Sequence, residues 1–72
     1  MGITIHVQNT RTNNFATGAK VTLSDSVGQR KATTNSSGDA SFPTAKPGTY
    51  TVYVEGRQVY SGPITGVKIV EI

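Results

Sequence analysis

The 72-residue chain offers few side chains for chemistry: one histidine (His6), four carboxylates (Asp25, Asp39, Glu55 and Glu71) and no cysteine. One imidazole cannot supply the three protein ligands of an open catalytic zinc site, and without cysteine there is no thiolate site. Serines are plentiful, but none stands in a G-x-S-x-G elbow that would present it to a histidine. The four carboxylates fall on different predicted elements, so no acid–base pair is set up. Asn35, Ser36, Ser37 and Asp39 could gather oxygens around calcium. That ion wants six to eight oxygens, usually with several carboxylates, and tight-turn chemistry accounts for the same four residues. No Gly-x-Gly or Gly-Lys phosphate loop is present. No catalytic residue, metal ligand or cofactor is therefore expected, and the chain reads as non-enzymatic.

What remains is surface recognition. Tyr53 and Tyr60 fall on two neighbouring predicted strands, where a pair of exposed rings would stack on a sugar or anchor a protein partner. The same pair would equally serve as a cross-strand aromatic contact that only stabilises the sheet. A second candidate surface is the Asn13-Asn14-Phe15 loop, although Phe15 is expected to fold back and plug the end of the core.

The elements that must carry these residues are strands. Val and Ile total 13 against a single Leu, and Thr supplies 11, a balance that favours pleated, half-buried structure over helix. The length fits one domain spanning 1–72, enclosing at most two layers of side chains. Net charge is +3, but Arg11, Lys20, Arg30, Lys31, Lys46, Arg57 and Lys68 are scattered rather than gathered on one face. Phosphate recognition needs clustering, so no nucleic-acid partner is expected. No apolar run approaches the ~18 residues of a membrane span, and no basic-then-apolar segment opens the sequence.

Alternation sets the strands. Ile3, Ile5 and Val7 mark the first, and Ala19, Val21 and Leu23 the second, with the polar stretch from Asn9 to Gly18 crossing between two sheets. Ser24 to Gly28 reads as a turn capped by Asp25, with Gly28 at positive φ. Gln29–Thr34 is an edge strand guarded by Arg30 and Lys31. After the Asn35–Gly38 turn, Asp39–Phe42 points Ala40 and Phe42 to one side, and Pro43 and Pro47 bound a loop. Thr49–Glu55 buries Tyr50, Val52 and Val54, and Gly56-Arg57 turns the chain into Gln58–Ser61. Gly62-Pro63 breaks the chain, and Val67–Ile72 is the last strand. Its apolar residues fall on both faces, which calls for a bulge or a doubly covered position. Seven short strands of this kind make an all-β, antiparallel Greek-key sandwich.

Three segments carry a resemblance. Gly18-Ala19-Lys20-Val21-Thr22-Leu23 resembles the G-A-x-V-x-L strand of transthyretin-like, Ig-like sandwiches, notably carboxypeptidase regulatory-like domains. Thr34 to Phe42 is similar to their T-[DN]-x-x-G-x-[AY]-x-F segment, and Pro47 to Gly56 to their P-G-x-Y-x-V-x-V-x-G strand. Order and spacing agree, organising most of residues 3–61. The resemblance implies an accessory, adhesive or spacer module whose partner is another protein or a larger assembly, with carbohydrate binding as the alternative. A cell-surface, secreted or virion setting would suit it. Two activities known in relatives do not carry over. The isopeptide-forming lysine and acid fall near His6 and Val54, and the last strand has no Asn or Asp. The urate-derivative hydrolases rely on several histidines and a Ser-rich C-terminal tetrapeptide, where this chain has His6 alone and ends Val70-Glu71-Ile72.

Overall fold

The computed structural model describes residues 2–12 and 14–72. Eight strands follow in order: β1 (Ile3–Asn9), β2 (Asn14–Phe15), β3 (Lys20–Ser24), β4 (Gln29–Thr33), β5 (Asp39–Phe42), β6 (Gly48–Val54), β7 (Arg57–Ile64) and β8 (Val67–Glu71). They form two four-stranded sheets. Sheet A holds β8, β1, β5 and β2, and sheet B runs β4-β3-β6-β7. The non-consecutive neighbours β1/β5, β1/β8 and β3/β6 mark crossovers between the sheets. The all-β sandwich is as expected, with one strand more. The eighth is β2, two residues inside the polar connection, which pairs Phe15 with Gln8 and Asn14 with Asn9.

Period-two alternation decides what is buried. Ile3, Ile5, Val7, Ala40, Phe42 and Val70 of sheet A meet Val21, Leu23, Tyr50, Val52, Val54 and Ile64 of sheet B. Thr34 is the one buried polar residue among those described, and its hydroxyl accepts the Ala19 N–H at 2.9 Å. Tyr50 fills core volume while its hydroxyl donates to the Lys46 carbonyl at 2.6 Å, so burial leaves that polar group satisfied.

Several local expectations change. Phe15 does not plug the core: it is 53% exposed, because its pairing with Gln8 turns it to the outer face of sheet A. Asp25 caps its turn as expected, taking N–H groups from Val27 and Gly28, but Gly28 is not among the positive-φ residues. The β6–β7 hairpin turns on Glu55 and Gly56, one residue early, since a two-residue turn of this hand needs positive φ at both positions (52° and 81°). Glu55 tolerates that conformation with two bonds to Lys20: its own N–H donates to the Lys20 carbonyl, and its carboxylate accepts the Lys20 N–H at 2.7 Å. Strand β7 continues through Gly62 and Pro63, because at a sheet edge the missing N–H of proline costs no ladder bond.

The last strand resolves without a bulge. β8 pairs with β1 alone and in parallel, Val7 beside Val70, which is the one departure from antiparallel pairing. Only Val70 enters the core, and Val67 and Ile69 remain 67% and 59% exposed.

Candidate interaction surface

The outer face of sheet A is built by the alternation that buries its inner face. With Ile5 and Val7 inside, Thr4, His6 and Gln8 of β1 face out, and directly paired residues share their side. The register therefore brings Asp39 and Ser41 of β5, Phe15 of β2, and Val67, Ile69 and Glu71 of β8 to the same face.

His6 sits at the centre. Its Nδ1 lies 2.6 Å from Oδ1 of Asp39, its partner across β1 and β5. Phe15 packs against the imidazole edge to face, centroids 4.9 Å apart at 73°. With Nδ1 committed to Asp39, Nε2 is the ring's remaining polar atom. Phe15 is held there by Gly38, whose φ is +80° and where a Cβ would lie 2.8 Å from Cβ of Phe15 and 2.9 Å from the Val7 carbonyl. The glycine thus lets the β5 approach pass beneath the aromatic ring. Asn35 fixes that approach, accepting the N–H groups of Ser37 and Asp39 with its side-chain oxygen.

Three exposed apolar side chains, Phe15, Val67 and Ile69, thus share the outer face of sheet A with the half-buried histidine–aspartate pair. Sheet B presents a different exterior. Its outer face mixes hydroxyls with the charges of Lys20 and Lys31, and a concavity of about 670 Å³ there is lined by Lys20, Thr22, Lys31, Thr33 and Glu55 among others.

The proposed tyrosine platform does not assemble. Tyr53 pairs with Gln58 and Thr22 on the outer face of sheet B, whereas Tyr60 pairs with Val52 and so shares its inward side. A bulge at Val52/Tyr53 separates the two. Tyr60 closes one flank of the sandwich, with Nζ of Lys68 4.2 Å from its ring centroid and its hydroxyl donating to the Pro63 carbonyl at 3.1 Å. Of the loop candidate, Asn13 lies outside the described residues, while Phe15 contributes to the sheet A face. The His6–Asp39 pair is invisible in the sequence, since it depends on a strand pairing that spans 33 positions. Among the described residues no group of three or more His, Asp or Glu side chains could hold a metal.

The carboxypeptidase regulatory-like domain family matches residues 2–71, nearly the whole chain. The chain belongs to that family. No curated protein and no solved structure matches it. Regulatory-like domains are non-catalytic β-sandwich modules that commonly mediate protein interactions. In this regulatory-like domain the three motif segments are β3, the turn into β5, and β6. Those elements scaffold the face without supplying its apolar residues, which come from β2 and β8. No described helix is long and apolar enough to cross a membrane.

Proposed function

We infer that the chain is a protein-binding module that docks another protein on the outer face of sheet A, as an accessory or assembly component of a cell-surface, secreted or virion structure. The observation that carries this reading is the grouping of Phe15, Val67 and Ile69, each more than half exposed, around the His6–Asp39 pair. Exposed apolar side chains are unremarkable singly, but gathered on one face around a hydrogen-bonding centre they have the composition of an interface core. The partner complementary to this face carries apolar residues around a polar group able to bond Nε2 of His6.

Comparative affinity capture from the source organism tests the reading. Wild-type protein, Phe15→Glu and Lys31→Glu are used as baits, the last lying on the opposite sheet. A partner held by wild type and Lys31→Glu but released by Phe15→Glu supports the face. A partner released by Lys31→Glu and kept by Phe15→Glu places recognition on sheet B instead.

A further inference from the structure

A sandwich of this kind has four exposed strand edges, and three of them are guarded. β4 turns Arg30 inward opposite Leu23 and carries Lys31 beside it. β7 carries a bulge and, at Pro63, a position with no N–H to offer an added strand. On the far side of β1, β5 is four residues long and stops at Pro43, and β2 has only two residues. These are the usual devices against strand addition. β8 has no proline and no bulge. Its one inward charge, Lys68, is drawn over the ring of Tyr60.

The direction of the β8 backbone groups follows from its bonds to β1. Thr4 N–H donates to the Gly66 carbonyl, Ile72 N–H to the Gln8 carbonyl, and Thr10 N–H to the Ile72 carbonyl. In a parallel ladder alternate residues serve one neighbour, so the even-numbered residues from Gly66 to Ile72 serve β1. Val67, Ile69 and Glu71 therefore turn both N–H and C=O away from the sheet.

We propose that β8 is a homodimerisation edge: two copies pair their β8 strands antiparallel about a two-fold axis at Ile69. The pattern of outward groups is symmetric about that residue. Ile69 stands opposite Ile69 of the partner subunit, and Val67 opposite the partner's Glu71, each pair exchanging both backbone bonds. The three outward-facing positions of each strand give the pairing six backbone hydrogen bonds, two at each pair. The contact is isologous and closes on itself, consuming the open edge of both copies rather than propagating a fibre. It also brings two copies of charge +3 together, so added salt strengthens it by screening. Val67 and Ile69 also belong to the sheet A face, but self-association of the pure chain is read with no docking partner present, so the dimer is tested apart from what docks there.

Sedimentation equilibrium of the full chain over a wide concentration range, at low and high salt, tests it. The weight-average mass should climb from 7.6 kDa toward twice that value, at lower protein concentration in high salt. Ile69→Lys, which sets two ammonium groups together on the axis, should stay at monomer mass, while Gln29→Lys on β4 carries the same charge change and should associate like wild type. Wild type that remains monomeric, or Ile69→Lys that associates equally well, overturns the proposal. Amide exchange on wild type gives a readout free of any folding defect. The amides of Val67, Ile69 and Glu71 should slow as concentration rises, and rates independent of concentration contradict the edge pairing.

Discussion

Nζ of Lys68 lies 4.2 Å from the ring centroid of Tyr60, and this contact ties the last strand of sheet A to the last strand of sheet B. The parallel register of β8 on β1 puts Lys68 beside Ile5 on the inward side, and the pairing of Tyr60 with Val52 brings the ring to meet it. An ammonium over an aromatic face at a partly exposed site contributes about 0.5–1 kcal/mol. Lys68→Met and Tyr60→Leu should each lower stability by about that much, and the double variant by clearly less than the sum. Strict additivity in urea melts would show that the two side chains do not interact.

Gly38 and Gly18 both have positive φ, at +80° and +70°, but differ in surroundings. An alanine at position 18 meets nothing within 4 Å and should cost only the left-handed backbone penalty, about 1–2 kcal/mol. At position 38 the same methyl collides with Phe15 and with the Val7 carbonyl, so Gly38→Ala should be the more damaging by at least about 1 kcal/mol. Thermal melts of the two variants check the order.

The β6 register makes a sharp comparison between neighbours. Val52 is fully buried and Thr51 only half-buried. Val52→Ala should cost on the order of 2 kcal/mol through lost contact and a residual cavity. Thr51→Ala should cost under about 1 kcal/mol. On so small a domain the first loss is a large fraction of the total stability. Paired urea titrations that ranked Thr51→Ala as worse would mean the strand faces are reversed.

The chain has no cysteine, and its described residues gather no metal-binding cluster. The melting midpoint should therefore be the same in buffer, in EDTA and in reductant. A fall of more than about 5 °C in chelator would reveal a stabilising cation, since a ligand bound only by the folded state raises its apparent stability.

Much of this fold is legible in the alternation of Ile3-Ile5-Val7, Val21-Leu23 and Tyr50-Val52-Val54, because each run has one apolar face and one register that buries it. The sequence leaves β8 open, because Val67, Ile69, Val70 and Ile72 fall on both faces, and only its pairing with β1 decides that Val70 goes in. The face around His6 was harder still. Its members come from four strands, and the His6–Asp39 contact exists only once β1 and β5 are in register. The two tyrosines are divided for a related reason: the bulge between Val52 and Tyr53 puts Tyr53 and Tyr60 on adjacent strands yet on opposite sides of the sheet. A one-residue irregularity of this kind leaves no mark in composition or period.

The central claim, that partners dock on the outer face of sheet A, is tested most directly by site-specific photo-crosslinking in the source organism. A photoreactive residue replaces Phe15 on sheet A in one experiment and Tyr53 on sheet B in the other. The account predicts a discrete adduct with a second protein from position 15 and none from position 53. An adduct formed only from position 53 would contradict it.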